Sequence, residues 1–240
     1  MLNQPAEAIP IPVSPTRLAE TLSAVLRRVY LWMGLGLTVT AGVAYAVANS
    51  SLAVTIISNT WLFFGLLIAE VAMVIAVSAA IQRLSIGAAQ GLFLVYSALN
   101  GATMSVIFLV YTFSSISQTF FVAAGLFALM SIIGYTTRLD LSAWRSYLLM
   151  GLIGFVLASV VNLLFNNSTF YWILTYAGIV LFLALTVYDT QRIKTMASQS
   201  MLAGETAVVA RVGMLGALRL YLDFVNLFLL LLRVFGRRRR

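Results

Sequence analysis

The sequence predicts an all-α, polytopic membrane protein, a bundle of seven transmembrane helices, and three features carry that prediction. Of its 240 residues 62% are hydrophobic and only 9% charged, and the mean hydropathy of +1.00 is far above what a water-soluble domain carries. Apolar stretches recur at about 29–48, 60–81, 87–111, 118–137, 146–165, 170–191 and 213–235, each long enough to cross the hydrocarbon core as a helix that satisfies its own backbone. Charge is confined to alternate connections. Arg17, Arg27 and Arg28 precede span one, Arg83 follows span two, Arg138 and Arg145 flank the 4–5 connection, and Arg192, Lys194 and Arg211 surround the 6–7 connection. The intervening connections 49–59, 112–117 and 166–169 hold no charge. Positive charge favours the cytoplasmic side, so the N-terminus is expected there.

In chain order, residues 1–26 contain all four prolines and read as a polar tail running into a short amphipathic helix, TRLAETLSAVL, with no cleavable signal peptide visible. Residues 27–236 form the membrane domain and 237–240 a basic tail. Seven full crossings would carry Arg237–Arg240 to the non-cytoplasmic side, against the usual preference, so either span seven is incomplete or re-entrant, or the tail is an exception. The connection KTMASQSMLAGETAVVARVGM is long, and its Ala and Met content suits a short interfacial helix. Asp140, in RLDLSAW, is the expected N-cap of span five. Tyr30, Trp32, Trp61, Tyr111, Trp144, Tyr147, Tyr171 and Trp172 cluster at span ends, as interfacial belts do, and Gly34, Gly36, Gly42, Gly87, Gly91, Gly151 and Gly154 let helices approach closely.

The chemistry available is narrow. The chain has no cysteine and no histidine, which excludes disulfides, thiolate catalysis and imidazole titration or ligation. Of seven acidic residues, Glu7, Glu20, Asp140 and Glu205 lie outside the spans, leaving Glu70, Asp189 and Asp223 at membrane depth. An ionisable residue there costs about 2.5–3.5 kcal/mol on insertion scales, so it marks a partner or a use. Asp189, in TVYDTQRI, and Asp223, in LYLDFVNLF, lie on consecutive spans that pack as neighbours, so the two carboxylates are expected to meet and to share a proton, a pH switch without histidine. The plainer alternative is local ion pairing, Asp189 with Arg192 at i+3 and Asp223 with Arg219 at i−4. Glu70 could equally remain protonated and hydrogen-bonded. Asn100, Thr103 and Ser105 in span three, with Asn162 and Asn226, either line a wet path or join helices. The arginine tail suits anionic lipid headgroups, and no surface for nucleic acid is evident.

The motifs ALRLYLDFVNLFLLLLRVFG at 217–236, TVYDTQRI at 186–193, EVAM at 70–73, NGATMSVIFLVY at 100–111 and TRLDLSAWRSYLLMGLIGFVLASVVN at 137–162 resemble, in order and spacing, those of the Bax inhibitor-1 family, also called transmembrane Bax inhibitor motif proteins. The compact length suits a prokaryotic member. The resemblance implies a seven-helix fold with the last helix central, and a pH-sensitive calcium leak whose sensor is a pair of aspartates falling on Asp189 and Asp223. Some bacterial relatives carry a basic cluster about three turns after the span-two glutamate, beginning with an arginine that pairs with the span-six aspartate. Here Ile81 and Gln82 stand in that place and Arg83 just beyond, so Arg192 or Arg219 is expected to be the gate partner instead of Arg83.

The functional expectation is a pH-sensitive Ca2+ leak of a cytoplasmic-type membrane, gated by Asp189 and Asp223. These would contact the passing cation directly, since hard cations take oxygen ligands, and Glu70, Asn100 and Asn226 are candidates for lining the path. Ca2+ is the expected permeant ion, and no cofactor is expected. Two alternatives stand beside it: a non-conducting membrane interaction protein, and an intramembrane aspartyl protease, which also uses paired aspartates on consecutive helices after a tyrosine such as Tyr188. The protease reading lacks the glycine-bracketed GxGD flank and any proline motif after Pro15.

Overall fold

A computed structural model describes residues 15–80, 84–202 and 206–239. These form nine helices: α1 (Pro15–Ala48), α2 (Ser51–Ser58), α3 (Thr60–Ala80), α4 (Ile86–Met104), α5 (Val106–Val110), α6 (Phe113–Thr136), α7 (Trp144–Phe165), α8 (Ser168–Leu202) and α9 (Thr206–Phe235). Seven spans long and apolar enough to cross a membrane result, α4 and α5 together forming the third. The expected fold class is the observed one.

Burial sorts the helices. In the most apolar stretch of α9, 72% of the residues are buried, against 6% in α3 and in α7. Ala217, Leu218, Leu220, Tyr221, Phe224, Leu227 and Leu231 are buried, and the stripe Leu215, Arg219, Leu222, Asn226 and Leu229 is half-buried, as in a helix mostly surrounded by protein. It packs most extensively on α8, then on α1 and α6, while α3 rests mainly on α4 and α7 on α8. The outer helices present Trp61, Ile68, Tyr147 and Leu164 outward, as lipid-facing surfaces do.

Several elements run differently from expectation. The short N-terminal amphipathic helix and span one are one continuous helix, α1, because the apolar stripe Leu22, Val25, Leu26, Val29, Met33 keeps a single helical register into the bundle. Among the described residues the 6–7 connection forms no separate interfacial helix. Residues 192–202 extend α8 to 35 residues, about 52 Å, since nothing from Arg192 to Leu202 is glycine or proline. Residues 51–58 form α2, capped by Ser50, whose hydroxyl accepts from the Leu52 N–H at 3.3 Å. Span three breaks at the buried Ser105, which turns its hydroxyl back onto the Ala102 carbonyl at 2.7 Å. Asp140 does not cap α7, which starts at Trp144. It accepts from the Ser142 N–H at 2.9 Å in the preceding turn, and the Ser142 N–H and hydroxyl hold its carboxyl below the usual carboxylate range. Ionised throughout the neutral range, Asp140 contributes no charge change there.

Close helix approaches fall mostly on glycines other than those singled out in the sequence. A Cβ on Gly101 would lie 2.6 Å from the Thr40 carbonyl oxygen of α1, and one on Gly134 would overlap the Val187 carbonyl of α8, whereas one on Gly34, Gly42, Gly87, Gly91 or Gly154 would meet open space.

Span seven is neither short nor re-entrant. Beyond α9 the tail docks on the α5–α6 connection: the Thr112 N–H donates to the Arg237 carbonyl at 3.0 Å and the Arg239 N–H to that of Val110 at 2.8 Å. The opposite end is tied separately. Gln191 donates to the Leu139 carbonyl at 2.6 Å and accepts from the Leu141 N–H at 3.0 Å, and Lys194 donates to the Tyr135 carbonyl at 2.8 Å. The arginine tail therefore sits at the end of the bundle opposite the arginine-rich 4–5 and 6–7 connections.

Candidate functional site

Asp189 lies on α8 and Asp223 on the central α9, both buried. Asp189 meets α9 at Arg219, one helical turn before Asp223, with 3.6 Å between an Arg219 guanidinium nitrogen and Asp189 Oδ1. Among the described residues this is the only ion pair between side chains. It crosses between helices, so neither local pairing holds: Arg219 turns to α8, and Arg192 stacks over the Tyr188 ring with its guanidinium carbon 6.0 Å from the centroid. Asp223 lies within electrostatic reach of both Arg219 and Asp189, and its Oδ2 is buried without a hydrogen-bond partner. The site is thus a three-membered cluster of two carboxylates and a guanidinium, with Arg219 paired to Asp189 and Asp223 nearby. The position proposed for Arg83 falls outside the described residues.

Glu70 belongs to a second, polar layer. Asn100 of α4 donates to Glu70 Oε2 at 3.2 Å, and Tyr221 of α9 donates its hydroxyl to Asn100 Oδ1 at 3.1 Å. Thr40 of α1 touches the same Tyr221 hydroxyl at 2.6 Å. One chain of contacts thereby joins α3, α4, α9 and α1, and it reaches α9 two residues from Asp223. Glu70 Oε1 makes no hydrogen bond, although Thr103 stands beside the carboxyl. Asn226 is not brought to this layer, because its amide donates to the Leu222 carbonyl of its own helix at 2.8 Å. Tyr221 and Thr40 were not legible as members. A tyrosine and a threonine in apolar spans carry no signal of their own, and 181 residues separate them.

Among the described residues no three acidic side chains gather as a metal centre would require. A hard divalent cation at this depth would meet the carboxylates of Asp189 and Asp223, the first already engaged by Arg219.

The sequence profile of the family described as Inhibitor of apoptosis-promoting Bax1 matches residues 22–240. The chain belongs to this family. It is 48% identical over 219 residues to the inner membrane protein YbhL of Escherichia coli, covering 91% of this chain and 93% of that protein. A protein of Borreliella burgdorferi is 43% identical over 215 residues, covering 89% and 92%, and a membrane protein of Streptococcus pyogenes 34% over 221 residues, covering 90% and 93%. The chain is a Bax inhibitor family membrane protein whose relatives include a bacterial inner membrane protein.

Proposed function

We propose that this Bax inhibitor family member is a pH-sensitive leak for Ca2+, gated by Asp189, Asp223 and Arg219. The observation that carries the reading is the interhelical ion pair of Arg219 with Asp189, beside the buried Asp223, on the helices that pack most extensively. While the carboxylates are ionised, Arg219 ties α8 to α9. A proton on Asp189 removes its charge and with it the charge-assisted contact, so the α8–α9 seam loosens and an oxygen-lined path opens beside the Glu70 and Asn100 layer. Acid opens the leak in this scheme. The aspartyl protease alternative fits less well, since Arg219 occupies the carboxylate oxygen that would have to share a water.

The test is Ca2+ flux into liposomes reconstituted with purified protein, measured between acid and mildly alkaline pH, with cleavage of a helical substrate scored in parallel. Asp189→Asn and Asp223→Asn are expected to flatten the pH profile without cleavage appearing in any variant. Unchanged flux against pH in both folded variants would remove the gate assignment, and cleavage by the wild type would replace it with the protease.

The orientation belongs to the same proposal: N-terminus and 4–5 and 6–7 connections cytoplasmic, arginine tail outside. The cysteine-free chain accepts single cysteines, and Asn167, Gln199 and Arg238 are exposed. An impermeant thiol reagent added outside intact cells should label cysteines at Asn167 and Arg238 and spare one at Gln199. The reverse pattern would invert the topology.

A further inference from the structure

Where the tail docks, α1, α5 and the start of α6 leave an open groove of about 860 Å3. Its walls include the rings of Tyr45, Phe108 and Phe113, with Tyr45 edge-on to Phe108 at 6.1 Å and Phe108 stacked on Phe113 at 6.5 Å. Thr112 and Arg239 supply polar lining. The groove lies against the last two turns of α1, at the end of span one.

The arginine is held in place. Its N–H is bonded to the Val110 carbonyl, and Arg238 next to it bridges Tyr111. Arg237, Arg238 and Arg239 thus stand together at an end whose connections, 49–59, 111–112 and 166–167, contain no acidic residue. Among the described residues no carboxylate pairs with them, so an anion from outside the chain can serve as their counter-charge. An anion alone would make no use of three aromatic rings. A molecule with a negative head and a long apolar chain uses both.

We infer that this groove binds one anionic phospholipid, an acyl chain lying along Tyr45, Phe108 and Phe113 and the phosphate on Arg239. The site also gives the misplaced basic tail a reason: its arginines are held at this end by backbone pairing and by a lipid phosphate. It is independent of the leak and is read by binding alone.

The experiment is native mass spectrometry of the full chain with equal amounts of dioleoyl phosphatidylglycerol and dioleoyl phosphatidylcholine, alongside thermal unfolding in each lipid. Wild type should retain one phosphatidylglycerol in preference and unfold at a higher temperature in it. Arg239→Gln should weaken that retention about fivefold, the weight of one arginine at a membrane surface. Gly42→Trp should abolish it, because Gly42 lines the groove and an added side chain there meets open space. Gly42→Leu does the same job if the larger residue impairs folding in phosphatidylcholine. Arg28→Gln, at the other end of the bundle, should change nothing. Equal retention of the two lipids by wild type overturns the inference. So does undiminished phosphatidylglycerol retention in folded Gly42 variants, which would mean that the tail collects headgroups without the groove.

Discussion

Arg219→Gln should give a leak that is already open at neutral pH and responds little to acid. In the proposed gate the guanidinium is the one group that makes the ionised carboxylates an attraction between α8 and α9; without it they repel each other or must take up a proton, and the seam loosens either way. Removing one partner of a buried ion pair costs about 3–5 kcal/mol. With the Arg219 side chain 31% exposed, a smaller loss of about 2 kcal/mol is expected here, readable as a lower unfolding temperature in the same lipid. Arg219→Lys keeps the charge without the planar fork and should restore part of the pH response. Arg192→Gln should have a weaker effect, because Arg192 stacks on Tyr188 and acts on Asp189 only from beyond contact distance. A pH profile moved by Arg192→Gln and left intact by Arg219→Gln would assign the latch to the wrong arginine.

The parts of this molecule that sequence made plain are those written locally. A span needs about twenty apolar residues and little else, so all seven were visible. Three acids at membrane depth stood out because the chain is so sparing with charge. What stayed hidden depends on which helix faces which. Arg219 is four residues from Asp223 and thirty from Asp189, and chain distance alone favours the intrahelical pair; packing of α8 on α9 reverses that. Thr40 and Tyr221 look like any other polar residues in a span until α1 and α9 meet. The helix ends were misread for a related reason. Polar residues such as Lys194, Ser198 and Gln199 end an apolar stretch without ending a helix, so α8 continues well past the last residue that looked membrane-embedded.

The same distinction separates two glycines of α6, and the second large effect follows from it. Gly134→Ala should destabilise the protein, while Gly125→Ala should leave it unchanged or slightly more stable. Both replacements fill a helix interior, where alanine is favoured over glycine by up to about 1 kcal/mol, so propensity pushes them the same way. Space decides between them. The methyl at position 125 meets nothing within contact distance, whereas the methyl at 134 runs into the backbone carbonyl of Val187, which cannot rotate away as a side chain would. Overpacking of that kind costs about 1–3 kcal/mol, enough to outweigh the gain in propensity. The contact lies two residues before Asp189, so pushing α6 off α8 at Val187 tilts the turn that carries Asp189 toward Arg219. Gly134→Ala should therefore shift the pH midpoint of Ca2+ flux as well as lower the unfolding temperature, with Gly125→Ala matching wild type in both. Equal unfolding temperatures for the two variants would mean that α6 and α8 are not held at this distance in the membrane. A destabilised Gly134→Ala with a wild-type pH profile would separate the packing of α6 from the gate.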